Sequence, residues 1–139
     1  MIRTLTGILA CMMIAGCGVR GEAYQPRPTP AAQAVIYIYR PYELLGSQAD
    51  PMITCGHETI ELEKAGYDEF LADSGPITCS AVTDPNADLK FDAHNGEQYF
   101  VREDVVSSGL ASSHVQFKLM NPEVGRDQIK ECNRQGIKQ

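Results

Sequence analysis

The sequence contains no tryptophan, only 3 histidines and, beyond residue 17, no apolar stretch long enough to span a membrane. It also lacks the short motifs of common enzyme sites, among them the G-x-S-x-G nucleophile elbow, the H-E-x-x-H zinc site and the glycine-rich phosphate loop. Paired carboxylates occur at Glu61/Glu63 and Asp68/Glu69, but acids are common on exposed strand faces and turns. We therefore expect that the protein is not an enzyme.

A basic patch is missing as well. Lys and Arg together number 12 against 18 Asp and Glu, which gives a formal net charge of −6. Proteins that bind nucleic acid usually concentrate positive charge on one face. We therefore expect no nucleic-acid partner, and we interpret the negative charge as a contribution to solubility.

The first residues have the pattern of a secretory signal peptide. One basic residue, Arg3, precedes about ten mostly apolar residues, and the small residues Ala15 and Gly16 follow them. The apolar core is too short to span a bilayer, which needs about 20 residues. The pattern predicts that residues 1–16 are removed by cleavage between Gly16 and Cys17.

The run Ile14-Ala15-Gly16-Cys17 resembles the lipobox of bacterial lipoprotein precursors. The resemblance implies lipidation of Cys17 through a thioether, often with a further acyl chain on its freed amine. Two or three acyl chains anchor a protein stably to a membrane. Gly18 rather than Asp follows the cysteine, which by analogy with Gram-negative bacteria implies the outer membrane, facing the periplasm. The alternative is an ordinary secreted protein with a chance cysteine.

Three cysteines lie beyond the predicted cleavage site, namely Cys55, Cys79 and Cys132, whereas Cys11 is expected to leave with the signal peptide. The periplasm is oxidising, and three thiols allow one disulfide with three possible pairings. Cys55 and Cys79 both lie in strand-like runs, which slightly favours that pair. The alternative is that all three are small buried hydrophobic residues.

Metal ligands are sparse. Cys55 and His57 are weak candidates, because the sequence has no second Cys/His pair at metal-ligand spacing. Residues 84–88 place oxygen ligands at alternate positions, as a calcium loop does, but Leu89 and Asn95 stand where the loop needs Gly and Glu. We therefore expect no metal and no cofactor.

Residues 17–33 combine the expected lipidated cysteine with a proline-rich segment that holds Pro26, Pro28 and Pro30. Alternating prolines favour an extended backbone, and sixteen such residues reach roughly 50 Å. The composition predicts a tether that holds a domain clear of the lipid headgroups. A proline-rich ligand for a partner protein is the alternative.

Residues 34–133 predict an all-β domain, because apolar or alternating runs recur between turn residues every eight to twelve positions or so. This spacing favours an antiparallel sandwich or barrel of about seven or eight short strands. The expected strands are residues 34–40, 52–55, 59–62, 67–71, 77–82, 89–93, 98–106 and 115–119.

Two local signals refine this domain. The Asn95-Gly96 pair predicts a β-hairpin between its flanking strands. Asn121 can cap a helix and Pro122 suits its first turn, so we expect a helix over residues 122–134, weakened by Gly125. A flexible tail over residues 134–139 would follow it.

The first strand carries its tyrosines on one face. Tyr37 and Tyr39 alternate with Ile36 and Ile38, so the two pairs point to opposite sides of the sheet. An exposed aromatic face would be a binding patch. We favour the other interpretation, in which the rings belong to a core and the hydroxyls are satisfied at its rim.

The order of these features resembles an uncharacterised domain, one of unknown function, found in small bacterial lipoproteins. The resemblance rests on residues 36–41, the Asp73-Ser74-Gly75 turn, residues 99–102 and a polar helix with a cysteine near its end, and it covers residues 34–133. It implies a compact antiparallel β-sandwich, immunoglobulin-like or carboxypeptidase-regulatory-like, on a lipid anchor, and it transfers no catalytic residue. We expect a non-catalytic interaction domain, such as an accessory subunit of an envelope assembly. The alternative is a lipoprotein that binds a small ligand or a metal.

Overall fold

The computed structural model describes residues 21–43, 49–84, 86–107, 109 and 112–135. The expected signal peptide, its cleavage site and the lipidated Cys17 therefore lie outside the described residues, as does most of the expected tail. Their assignments stay predictions.

Nine strands and one short helix make up the described part of the chain, and two sheets pack face to face, so the expected all-β sandwich is confirmed. One sheet has the strand order β8-β7-β1-β4-β9 and the other has β3-β2-β5-β6. The elements are β1 (Ala34–Arg40), β2 (Met52–Cys55), β3 (Glu58–Glu61), β4 (Gly66–Ala72), β5 (Gly75–Ala81), β6 (Asp88–Ala93), β7 (Gln98–Ser107), β8 (Ser113–Met120), α1 (Pro122–Ile129) and β9 (Asn133–Arg134).

The four-stranded sheet is antiparallel as expected, but the five-stranded sheet is mixed. In the latter, β1 pairs antiparallel with β4 and parallel with β7, and β4 pairs parallel with β9. Strand β1 is central, and all seven of its residues are buried. Its uninterrupted run of β-branched and aromatic residues is typical of a strand covered on both faces.

Two cores follow from the alternation along β1. Ile36 and Ile38 point between the two sheets and join the inner core, whereas Tyr37 and Tyr39 point to the outer face of the five-stranded sheet. The tyrosines are fully buried, as the core interpretation predicts. The outer core also contains Tyr24, Val35, Tyr67, Phe100, Ile129 and Cys132.

Residues 21–33, here called the strap, cover this outer core. Ala23 forms an isolated bridge with Asn133, and the side chain of Tyr24 is only 8% exposed. The Arg27 guanidinium pairs with the Glu69 carboxylate at 3.3 Å. The strap lies against the domain rather than free of it, because it buries the ring of Tyr24.

The side-chain amide of Gln98 holds the middle of the strap, at Arg27 and Thr29. The Gln98 side chain donates to the Arg27 carbonyl at 3.2 Å and to the Thr29 hydroxyl at 2.8 Å. The folded unit therefore includes residues before the expected boundary at residue 34. Of the expected tether over residues 17–33, residues 21–33 pack on the domain, and the others lie outside the described residues.

The helix ends earlier than expected, at Ile129, and residues 133–134 form β9. The Asn133 amide donates to the Ala65 carbonyl at 2.8 Å, and the Gln135 amide donates to the Tyr67 carbonyl at 3.0 Å. These backbone amides therefore bond to the segment that leads into β4 and to β4 itself. In a longer helix they would have bonded within the helix. The predicted helix over residues 122–134 is correct at its start and wrong at its end.

The Asn95-Gly96 turn does not form a hairpin. It connects β6 and β7, which lie in different sheets. Gly96 has the positive φ of 80° that the pair favours, and its amide donates to the Gln33 carbonyl at 2.9 Å. The turn chemistry was correctly predicted, but β7 pairs with β1 instead of turning back on β6, because β1 offers the apolar partner for Phe100 and Val101.

Candidate functional site

A cleft of about 250 Å³ opens at one end of the sandwich, between the β2–β3 turn and the connection from β4 to β5. We call it the end cleft. It combines apolar walls with a few polar groups, which is the usual composition of a ligand-binding site. Its lining consists of Gln33, Gly56, His57, Glu58, Phe70, Leu71, Ala72, Asp73, Ser74, Gly75, Pro76 and Ile77.

Two glycine-containing turns form the cleft walls. Gly56, with φ of 62°, is the first residue of the two-residue turn between β2 and β3. A Cβ at Gly56 would lie 3.5 Å from the Phe70 ring, so the turn backbone approaches the floor closely. Across the cleft, Gly75 has φ of 139° and starts β5 after the chain changes sheets at Asp73 and Ser74. Both positions favour glycine because side chains rarely adopt positive φ.

A disulfide between Cys55 and Cys79 lies directly behind this turn. The two cysteines face each other across β2 and β5, and the neighbouring Gly56 amide donates to the Thr78 carbonyl at 3.0 Å. They therefore occupy a non-hydrogen-bonded pair, in which opposite side chains approach most closely. The bond joins β2, which ends at the cleft, to β5, which begins there. Cys132 stays free and is buried in the outer core.

The floor of the end cleft is apolar. Phe70, Ala72 and Ile77 line the cleft and also pack into the inner core. Phe70 is only partly buried, so part of its ring remains open to the cleft. An aromatic ring of this kind can accept either an apolar group or a cation.

The rim is acidic. Asp73 accepts a hydrogen bond from the Gln33 amide at 3.2 Å, and Glu58 is exposed on the opposite side. The Glu58 and Asp73 carboxylates of the rim have no ion-pair partner among the described residues.

The two weak metal candidates are not arranged to bind a metal. The Cys55 sulfur belongs to the disulfide, so it is not a free thiolate ligand, and His57 is exposed in the turn. Within the described ranges, no group of three or more His, Cys, Asp or Glu side chains is placed to hold a metal ion.

The opposite end of the sandwich contains a buried polar cluster that sequence reasoning missed. The Arg40 guanidinium, in a residue only 3% exposed, donates to the Ala49 carbonyl, the Asp50 carboxylate and the Leu62 carbonyl at 2.9 to 3.0 Å. Nearby Glu103 is fully buried, and its two oxygens have no hydrogen-bond partner among the described residues.

Burial raises the pKa of Glu103 to about 8. The positive charge of Arg40 works against this rise, whereas Asp50 and Asp104 add to it. A protonated carboxyl in the inner core is the result near neutral pH. The alternation of Val101, Glu103 and Val105 along β7 is the signal that could have identified it, since the three share one face.

A second ion-pair group lies on the outer face near the same end. Asp104 pairs with Arg102 at 2.8 Å and with Lys118 at 3.1 Å, and Arg102 also pairs with Glu43 at 3.2 Å. These charges satisfy one another. We therefore assign this end a structural role and regard the end cleft as the candidate functional site.

No protein-family model, curated protein sequence or solved structure matches this chain. The resemblance to small bacterial lipoproteins stays a prediction. No helix among the residues whose structure is described is long and apolar enough to cross a membrane.

Proposed function

We propose that this protein is a lipid-anchored protein of the bacterial cell envelope whose β-sandwich is a non-catalytic interaction domain. In this proposal Cys17 carries the lipid, the anchor lies in the outer membrane facing the periplasm, and the end cleft receives the partner. The sequence from Arg3 to Cys17 supports the anchor. The cleft supports the interaction role.

The main support is the chemistry of the cleft. The partly exposed Phe70 ring forms a floor, and the rim carries the carboxylates of Glu58 and Asp73, which have no ion-pair partner in the part of the chain that the structure describes. A partner segment with an apolar body and a Lys or Arg side chain would complement both features. The disulfide behind the cleft reduces the cost of ordering it on binding.

Site-specific photo-crosslinking tests the interaction. A photoreactive phenylalanine analogue replaces Leu71, which lines the cleft and is partly exposed, and a matched control replaces Lys90 on the outer face of β6. We expect a discrete adduct from position 71 at native expression, absent from position 90. The charge reversal Asp73→Lys should remove it. The same adducts from both positions, or no change with Asp73→Lys, would contradict the proposal.

The intact mass of the protein purified from membranes tests the anchor separately. We expect a mature chain that starts at Cys17 and carries two or three acyl chains. An unmodified chain cleaved elsewhere would remove the anchor and leave a secreted sandwich.

A small cationic ligand is the second candidate occupant, because a cleft of about 250 Å³ approaches the volume of small-molecule sites. Thermal unfolding of the detergent-purified protein with aryl-alkyl amines as probes would separate the two. A midpoint that rises with amine concentration, and fails to rise in Asp73→Asn, favours a small ligand. Flat midpoints together with the position-71 adduct favour a protein partner.

A further inference from the structure

One edge of the five-stranded sheet is only partly paired. Strand β9 is 2 residues long and pairs with Gly66 and Tyr67 at the start of β4. No other strand among the described residues pairs with β4 on this side. The finish of β4 therefore borders a position in the sheet where a strand is missing, and we call residues 69–73 the open edge.

The backbone groups of the open edge point away from the sheet. The Gln135 amide donates to the Tyr67 carbonyl, so the N–H and C=O of Tyr67 face away from β1. These groups alternate in direction along an antiparallel pair, so those of Glu69 and Leu71 face away from β1 as well. The Glu69 amide donates to the Asp68 carboxylate at 2.8 Å. The Glu69 carbonyl and both backbone groups of Leu71 have no hydrogen-bond partner in the described part of the chain.

The open edge forms one wall of the end cleft, which is lined by Phe70, Leu71, Ala72 and Asp73. Phe70 and Ala72 direct their side chains to the inner core, whereas Leu71 lies on the other face of the sheet and is 38% exposed. A strand added beside β4 would follow the same alternation. Every second side chain of that strand would therefore enter the gap between the sheets, next to Phe70.

Negative charge faces this gap. Glu58 lies on the same face of β3 as the buried Ile60, so its exposed side chain is directed between the sheets. Asp73 stands at the end of the open edge, and neither carboxylate forms an ion pair with a residue that the structure describes. A Lys or Arg on the added strand would pair with these carboxylates and contact the Phe70 ring.

We infer that the partner of the end cleft is an extended segment of another protein, which adds a strand to the open edge of β4. Its backbone bonds to Leu71, and one of its Lys or Arg side chains enters the cleft. This inference rests on the proposed function, because it takes the end cleft as the interaction site. In this mode of recognition the main-chain hydrogen bonds supply affinity, and the cleft selects the side chain.

A blocked synthetic peptide tests the strand pairing. The peptide alternates threonine with isoleucine or lysine, so that isoleucine, lysine and isoleucine share one face. It is added to the isotope-labelled full-length protein in detergent micelles, and amide resonances are recorded by NMR. We expect the Leu71 amide resonance to shift and its hydrogen exchange to slow several-fold.

The Lys90 amide is the matched control. The Ala81 amide donates to the Ala87 carbonyl, so the alternation along β6 leaves the Lys90 amide on the outer edge of the other sheet. This amide should not respond to the peptide, because its edge does not border the cleft. An equal response at both amides, or none at Leu71, would overturn the inference.

Two methylated forms of the peptide separate backbone pairing from side-chain binding. Methylation of a backbone nitrogen removes its N–H, and only every second N–H of a strand faces its neighbour. One form is methylated at isoleucine and lysine, the other at threonine. We expect one form to bind like the parent peptide and the other to bind about tenfold more weakly or worse. Equal affinity of the two forms would overturn the strand pairing.

Protein variants test the same contact from the other side. Leu71→Pro removes the outward N–H without removing a bond to β1, and proline is tolerated on strand edges. It should abolish peptide binding, whereas Leu71→Ala should retain it and Glu58→Gln should weaken it several-fold. Unchanged binding in Leu71→Pro or Glu58→Gln would overturn the inference. Circular dichroism checks each variant, and the methylated peptides decide if Leu71→Pro does not fold.

Other occupants of the open edge give different results. Slow exchange at Leu71 without peptide that depends on protein concentration would assign the edge to a second copy of the chain. Slow exchange that disappears when residues 136–139 are removed would assign it to the chain itself. Either result overturns the inference.

The position-71 adduct separates this inference from the proposed function. An adduct together with equal binding of the two methylated peptides overturns the strand pairing alone and leaves the interaction domain. Absence of the adduct overturns the interaction domain, and the inference with it.

Discussion

Glu103 is a carboxylic acid in a position that suits its neutral form. It lies in the inner face of β7 without a hydrogen-bond partner among the described residues, and burial raises its pKa to about 8. In the unfolded chain its pKa returns to the ordinary value near 4.5. Between these two values the folded state holds a proton that the unfolded state has lost.

This difference predicts how stability depends on pH. The contribution of Glu103 to the free energy of unfolding is complete below about pH 4.5. It is lost progressively as the pH rises and is gone above about pH 8. Glu103→Gln replaces the carboxyl with a neutral group of the same shape. The free energy of unfolding of this variant should therefore fall less steeply with pH, and near pH 8 it should be higher by a few kcal/mol. Urea unfolding of both proteins from pH 4 to 9 measures this. Parallel pH profiles would contradict the assignment.

Gly125 is a helix-interior glycine with a packing reason. A Cβ at this position would overlap the Phe100 Cβ and lie 2.7 Å from the Phe100 Cγ. Phe100 belongs to β7 and stacks on Tyr37 at 4.9 Å between ring centroids, so it cannot move aside. The glycine lets α1 approach the sheet.

Gly125→Ala should therefore destabilise the protein although alanine is the better helix former. Overpacking costs about 1–3 kcal/mol, against a gain of about 1 kcal/mol in helix propensity. Val124→Ala, at a neighbouring position that is 45% exposed, is the matched control and should change stability by less than about 0.5 kcal/mol. A stabilised Gly125→Ala protein would show that the helix can shift away from Phe100.

At the scale of elements, the strap covers part of the outer core through the ring of Tyr24. Its one large apolar anchor is Tyr24, whose ring meets Tyr37 at 5.5 Å and Tyr67 at 5.8 Å, both edge-on. Tyr24→Ala should reduce the free energy of unfolding by about 3 kcal/mol, as for other buried aromatic truncations. Tyr24→Phe keeps the ring and should cost much less.

Hydrogen exchange locates the effect of Tyr24→Ala. We expect faster exchange of the amides of Arg134 and Gln135, which donate to Glu22 and Tyr67, because release of the strap uncovers β9. Exchange that stays slow at both amides would show that β9 holds without the strap.

The disulfide is the second element-scale constraint. It closes a segment with a sequence separation of 24 between Cys55 and Cys79, and a loop of this size stabilises a fold by about 3 kcal/mol. The double variant Cys55→Ser/Cys79→Ser should lose about that amount and show a weaker position-71 adduct. Cys132→Ala, the matched control at the free thiol, should keep the adduct. If the wild-type protein were equally stable with and without reductant, the disulfide would not contribute to its stability.

The strands could be predicted from the sequence, because each carries its own alternation or apolar run, and residues 34–40 identify the buried central strand. The pairing could not be predicted. The Asn95-Gly96 turn has hairpin chemistry, yet its flanking strands enter different sheets because β7 pairs with β1. The helix end and the packed strap depend on the free edge of β4 and on the outer core, which no local pattern reveals. The cleft joins residues from distant turns, and only the fold brings Glu58, Phe70 and Asp73 together.

At the scale of the whole molecule, folding and anchoring should be separable. Cys17 lies outside the strap, so Cys17→Ala should leave the unfolding midpoint of the mature domain unchanged while the protein moves from the membrane fraction to the soluble fraction. Fractionation with quantitative immunodetection measures this. A Cys17→Ala protein that remains in membranes would contradict a lipid anchor at this residue.

The contact between the strap and β9 sets an order for biosynthesis. Glu22 and Ala23 are among the first described residues, and their partners Asn133 and Arg134 are among the last. The edge of the five-stranded sheet therefore stays open until nearly the whole chain has left the ribosome and, on the proposed route, the export channel. During that interval β4 exposes unpaired backbone groups, a surface that other chains can join. A factor that shields strand edges would therefore be needed at the start of β4 only until the C-terminal residues arrive.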